Sequence, residues 1–317
     1  NWTSPTTADL YSVFMVSASD GWAVGEEGTI IRWDGTNWSN VTSPTTEYLT
    51  SVFMVSASDG WAVGTYGTII HWDGTQWSNV ASPVTYPGSI LQSVFMVSAN
   101  DGWSVSSSGG RIIRWNGTEW TIVTSPTLAD LRSVCMVSAN DGWAVGIPGV
   151  IIRWNGVTWN TVTSPTTSYL RSVCMVSAND GWAVGGGGKI IHWDGTNWSN
   201  VTSPTTKYLT SVFMVSASDG WAVGDGPIIR WNGVSWNTVT NPATNTLNDV
   251  FMVSANDGWA VGYAGTIIRW TGTQWIPEFP TALLMPLLIS LTLVAVILAK
   301  TTSKKRRSTS LPSKTQP

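Results

Sequence analysis

The chain has 317 residues, only 11% of them charged, with 22 Trp, 31 Gly and a formal net charge of −3, a usage far from that of an average soluble domain. Lys300, Lys304, Lys305, Arg306, Arg307 and Lys314 stand in the C-terminal tail, so the residues before Pro277 carry 10 basic and 18 acidic side chains. A surface of that sign excludes a nucleic-acid role, because phosphate binding needs clustered Lys and Arg to displace counterions.

In chain order, the first complete unit reads Ser-Val-Phe-Met-Val-Ser (12–17), Trp-Ala-Val-Gly (22–25), Thr-Ile-Ile-Arg-Trp (29–33) and Asn-Trp-Ser-Asn-Val (37–41). Runs of β-branched and aromatic residues bounded by Ala-Ser-Asp-Gly, Glu-Glu-Gly and Asp-Gly-Thr predict four short strands joined by tight turns. The unit recurs. Asp-Gly-Trp places a Trp at 22, 61, 103, 143, 182, 221 and 259; a second follows Arg or His at 33, 72, 115, 154, 193, 231 and 270; a third closes each copy at 38, 77, 120, 159, 198, 236 and 275. Seven copies of about 40 residues, each of four antiparallel strands, predict an all-β fold, a seven-bladed β-propeller over residues 1–275 with the apolar first strand lining the channel. The last copy stops soon after Trp275, and residues 1–7 resemble residues 40–46. The N-terminal segment is therefore expected to complete the last blade, covering two open sheet edges. Cys135 and Cys174 replace a Phe at one repeat position, which reads as two buried small hydrophobes in place of a disulfide. After a linker at 276–280, residues 281–299 run 19 positions without a charge, long enough for a transmembrane helix. The basic tail at 300–317 then sets the C-terminus in the cytoplasm and the propeller outside, at the cell surface.

Neither catalysis nor a cofactor is indicated. His71 and His192 stand where other copies carry Arg32, Arg114, Arg153, Arg230 and Arg269, and a catalytic base would not share a slot with Arg. Asp20, Asp59, Asp101, Asp141, Asp180, Asp219 and Asp257 read as turn formers that bond their own backbone, each followed by a glycine suited to positive φ. No calcium loop of alternating oxygen donors is present, so no metal is expected. Seven near-identical blades also give no set of unlike groups in fixed roles, as an active site requires. The remaining signal is variation. Turns of the Ala-Ser-Asp-Gly and Asp-Gly-Thr types scarcely change, whereas the loop between second and third strands reads Glu26-Glu27, Thr65-Tyr66, Ser107-Ser108, Ile147-Pro148, Gly186-Gly187, Asp225 and Tyr263-Ala264 in successive copies. The connections between blades vary as well and share an end with these loops. All seven tyrosines fall there, at Tyr11, Tyr48, Tyr66, Tyr86, Tyr169, Tyr208 and Tyr263, with Glu26, Glu27, Thr65, Arg132, Arg171 and Lys207. This end is the expected binding face for an extracellular protein or glycan, since Tyr supplies rigid contact area and a hydroxyl at low entropic cost. A structural part of the cell envelope without a discrete ligand is the alternative. Asn1, Asn37, Asn40, Asn116, Asn197 and Asn200 open Asn-X-Ser/Thr sequons and become glycan acceptors on export.

At Asp20-Gly-Trp-Ala-Val-Gly25, Gly28-Thr-Ile-Ile-Arg-Trp33 and Asp34-Gly-Thr-Asn-Trp38 the repeat resembles Ycf48-like propellers, whose plant and cyanobacterial members assist photosystem II assembly. It is also similar to the Asp-box repeats of sialidase-type propellers, although Asp34 to Trp38 lacks the preceding Ser/Thr and is one residue short. A sialidase-like glycosidase would need an Arg cluster, and the basic residues Arg132, Arg171 and Lys207 read as scattered. The tail, Pro277-Glu278-Phe279-Pro280 followed by an apolar span and Lys304-Lys-Arg-Arg307, resembles archaeal PEF-type sorting signals. That resemblance implies a surface protein processed by an archaeosortase.

Overall fold

Val, Ile, Phe and Trp fill the four runs of each repeat, and each repeat becomes one four-stranded antiparallel sheet. The computed structural model describes residues 3–85 and 88–277. In the first sheet an inner strand (Leu10–Ser17) is followed by a second (Asp20–Gly25), a third (Ile30–Trp33) and an outer strand (Trp38–Asn40), in that spatial order. Six more sheets repeat it, the last with Leu247–Ser254, Asp257–Gly262, Ile267–Trp270 and Trp275–Pro277. Each inner strand lies beside those of the sheets before and after it, the first beside the seventh, so the sheets are the blades of a closed seven-bladed propeller.

Tryptophan holds the blades together. Trp22 of blade 1 packs on Trp72 and Trp77 of blade 2, with ring centroids 4.8 and 5.5 Å apart, the second pair edge to face. The same triplet recurs at every interface, including Trp259 on Trp33 and Trp38, which joins blade 7 to blade 1 at 4.8 and 5.4 Å. Aromatic pairs of this geometry add about 0.5–1.5 kcal/mol each beyond the area they bury. Leu10, Leu49, Leu131, Leu170, Leu209 and Leu247 are buried, as packing anchors at the start of their inner strands.

Closure differs from the expectation. The seventh blade takes its outer strand from its own repeat, with Ile276 opposite Arg269 and Pro277 opposite Ile268, so that edge is already occupied. Residues Ser4–Thr7 instead fill the place of an interblade connection: a Cβ at Gly265 would meet Ser4 and Thr6, as one at Gly28 would meet Ser43 and Thr45. The likeness of residues 4–7 to 43–46 belongs to the connection.

Cys135 and Cys174 are free. They replace two members of a channel ring otherwise formed by Phe14, Phe53, Phe95, Phe213 and Phe251, whose neighbouring rings lie 4.6–4.8 Å apart. Met175 N donates to the Cys135 Sγ at 3.3 Å and Met214 N to the Cys174 Sγ at 3.4 Å. Burial pushes both thiols up, that of Cys174 to about 11. Among the described residues no helix is long and apolar enough to cross a membrane. The segment 281–299, the tail 300–317, Glu278, Phe279, Pro280, Asn1 and Tyr86 lie outside the described residues.

Candidate functional site

Antiparallel order sorts the connections between two ends. The turns joining first to second and third to fourth strands share the turn end; the second-to-third loops and the interblade connections share the loop end.

The turn end is structural. Asp20 does not bond its own turn: Arg32 Nε donates to its Oδ1 at 3.0 Å, with the guanidinium over Trp22 at 4.9 Å. Asp101, Asp141, Asp219 and Asp257 hold Arg114, Arg153, Arg230 and Arg269 in the same way at 2.8 Å. His71 and His192 pair with Asp59 and Asp180 at 2.8 Å, which is why His and Arg share the slot. These pairs are about a third exposed on the basic side, so each contributes about 1 kcal/mol or less. The glycine after each Asp is not at positive φ either. At Gly21 the Met15 sulfur occupies the space a Cβ would need. The turn-forming role belongs to the third-to-fourth turns, where Asp34 Oδ1 accepts from Thr36 N at 2.8 Å and Asn37 N at 2.7 Å. Gly35 there has φ +93°, which a side chain would disfavour. Two backbone N–H bonds hold the Asp34 carboxyl below the usual range, and the equivalent Asp73, bonded chiefly by the Thr75 hydroxyl, falls to about 2.

The loop end carries a device that the repeat pattern conceals. Every inner strand slips its register twice, near its end and, at the loop end, just after its first leucine, as between Leu10 and Ser12. A bulge leaves the extra residue out of the ladder and re-aims its side chain. The seven bulged residues, Tyr11, Thr50, Gln92, Arg132, Arg171, Thr210 and Asn248, line one cavity of about 290 Å³ at the mouth of the channel. Below them runs a ring of six serines and Asp249. Val52 N donates to Ser12 Oγ at 3.2 Å, and the bond recurs from blade to blade as far as Val212 N to Ser172 Oγ. Asp249 completes it, accepting from Ser211 Oγ at 2.7 Å and from Val13 N of the first blade at 2.9 Å.

Around this mouth stand the described members of the expected face. Tyr48, Tyr66, Tyr169 and Tyr263 are exposed, Tyr66 by 60%; Tyr11 and Tyr208 are half-buried. Tyr11 and Tyr48 approach each other, with ring centroids 6.3 Å apart, and burial raises the Tyr11 phenol well above its ordinary value. Glu26 bonds the Tyr48 hydroxyl and raises its pKa. Thr65 Oγ1 donates to Glu47 Oε2 at 3.0 Å and accepts from Tyr48 N at 3.1 Å. Glu27, Tyr66 and Ala264 hold left-handed backbone at φ 51°, 54° and 53°, a conformation that costs a non-glycine residue. Asp9, Glu26, Glu27 and Glu47 belong to blades 1 and 2, while the basic residues Arg111, Arg132, Arg171, Lys189 and Lys207 belong to blades 3 to 6, where Asp130 and Asp225 also stand. Arg132 and Arg171 are not scattered: they come from neighbouring blades and share one wall of the cavity. Sequence reasoning missed their convergence and the roles of Gln92 and Asn248, because only the bulge shows that the second residue of each inner strand turns into the mouth.

No protein-family model matches the chain, and no curated protein does. Among solved structures, the chain is similar to Ycf48 bound to D1 peptide, with 20% identity, 85% of this chain and 93% of that one covered, and a TM-score of 0.71. Ycf48 from Cyanidioschyzon merolae matches with 17% identity, 84% and 96% coverage and a TM-score of 0.68. The WD40 β-propeller domain of Doa1 matches with 17% identity, 84% and 93% coverage and a TM-score of 0.70. The chain thus has the propeller fold of Ycf48 and WD40 domains; identities this low establish fold alone.

Proposed function

We propose that this chain is a non-enzymatic binding module that presents the loop end of its propeller to an extracellular protein or glycan. In this reading residues 281–299 tether it to a membrane, with the tail 300–317 in the cytoplasm before any processing of the Pro277 to Pro280 motif by an archaeosortase. The observation that carries the reading is the contrast between the two ends. At the turn end each Arg or His is consumed by an Asp and the residues barely vary; at the loop end the exposed tyrosines and five basic residues vary from blade to blade. Ycf48 bound to D1 peptide is a propeller of similar fold with a peptide ligand, which supports a protein partner here.

The test is capture from extracellular material by the full-length chain. Changing Tyr48, Tyr66, Tyr169 and Tyr208 to Ala is expected to cut capture of a defined partner roughly tenfold or more, as loss of interface aromatics does, with thermal unfolding nearly unaltered. Changing Val157 and Val234, exposed at the turn end, to Ser should leave capture intact. Equal capture by both variants, or loss of folding in the tyrosine variant, overturns the assignment.

A further inference from the structure

Of the seven bulged residues around the channel mouth, only Arg132 and Arg171 are charged. Each arginine of the turn end has its own aspartate, but these two share one: Arg132 Nη2 donates to Asp130 Oδ2 at 3.1 Å, and Arg171 makes no ion pair among the described residues. The Arg132 side chain is 19% exposed, and its Nε is buried without an acceptor. Burial and the adjacent Arg171 charge lower the Arg132 pKa. A buried guanidinium N–H without a partner is costly, and the carboxylate that lines the cavity, Asp249, is committed to Ser211 Oγ, Val13 N and Val250 N, which leaves Arg171 without a carboxylate partner among the described residues. The cavity therefore offers guanidinium donors that the paired oxygens of a ligand carboxylate would satisfy.

The other walls narrow the class. They are hydroxyls, amides and the hydrogen-bonded carboxyl of Asp249, with Ile90 the one aliphatic residue and Tyr11 and Tyr48 the aromatic ones. Thr50 and Thr210 donate to the Leu91 and Leu247 carbonyls and Asn248 to that of Leu10, so Thr50 Oγ1, Thr210 Oγ1 and Asn248 Oδ1 retain acceptor capacity for hydroxyl donors. Such walls reject an apolar acid. About 290 Å³ lies at the small end of ligand pockets. We propose that the channel mouth binds one residue of a sugar acid, a hexuronate-type ring. Arg132 and Arg171 hold its carboxylate, the threonine and amide oxygens accept its hydroxyls, and a ring face lies toward Tyr11 and Tyr48. The proposal rests on the loop end being the binding face and names what its centre recognises.

The experiment is titration of the full-length chain with glucuronate, glucose and acetate, followed by calorimetry or ligand-observed NMR. Glucuronate should bind at least roughly tenfold more tightly than either control, and Arg171→Gln should lose roughly tenfold or more, in keeping with a charge-assisted hydrogen bond. Arg171→Lys, which keeps the charge but loses the planar fork, should fall between. Arg171 has no ion pair to lose, and an unchanged unfolding midpoint checks the fold of both variants. Equal binding of glucose, equal binding of acetate, no binding of glucuronate, or full affinity in Arg171→Gln each overturns the proposal. No macromolecule enters this titration, so its failure leaves the capture experiment standing, and the converse holds.

Discussion

Asp249 stands where six other blades carry serine, and it accepts the hydrogen bonds that close the ring. Although the residue keeps some solvent access, its carboxyl sits deep enough that burial raises its pKa, against the opposing bonds from Ser211, Val13, Ser12 and Val250. The folded protein thus holds this proton more tightly than the unfolded chain, where Asp titrates near about 3.9. Between those two values the native state binds more protons, so this residue's contribution to stability falls as pH rises. Asp249→Ser restores the repeat's hydroxyl, which can accept from Val13 N as Ser12 does from Val52 N. Denaturation midpoints measured from pH 4 to pH 8 should show the wild type losing stability relative to Asp249→Ser as pH rises; parallel profiles would dismiss the idea. Single positions of this kind were only half legible in sequence. That Cys135 and Cys174 replace phenylalanine was plain, but Asp20 reads in sequence as a turn former and proves to be the partner of Arg32, because the pairing depends on register.

Elements were far more legible than their details. Three Trp per copy and Asp-Gly-Thr turns marked every strand, since buried aromatic runs and special-φ turns leave strong compositional traces. The bulge after the first leucine leaves none: Leu-Arg-Ser-Val in blade 4 alternates as a regular strand would, and only pairing reveals that Arg132 steps out of the ladder. The turns also rank the sequons. Asn40 and Asn200 lie on outer strands and donate to the Pro5 and Pro165 carbonyls at 3.2 and 3.1 Å, so a glycan there would break a bond. Asn37, Asn116 and Asn197 belong to exposed third-to-fourth turns at the turn end. Glycopeptide mapping of exported native protein should find these three occupied ahead of Asn40 and Asn200; occupancy in the reverse order, or none at all, would refute this ranking and with it the export it assumes.

At the scale of the whole molecule, two statements of different standing meet. The propeller was readable from periodicity alone, whereas its closure was not, because residues 1–7 match a connection and the end of a strand equally well by sequence. Membrane attachment rests on the composition of 281–299 and 300–317. Deleting residues 281–317 should release the protein to the medium; retention on cells would mean that the propeller itself adheres to the envelope. The closure has a further consequence. Among the described residues each sheet is drawn from the strands of one repeat and no blade borrows a strand from another, so the repeat is a complete unit of inheritance. Duplicating or deleting about 40 residues adds or removes a whole blade and never leaves a torn sheet. Only the circumference must then readjust, through the tryptophan triplets that are alike at every seam and the serine-to-amide bonds that recur at five of the seven. A gene coding for such a chain can drift in integer steps, and blades 4 and 5, which share Leu-Arg-Ser-Val-Cys-Met at 131–136 and 170–175, carry the mark of one such step. On that view the paired arginines at the channel mouth arose together, in a single copying event.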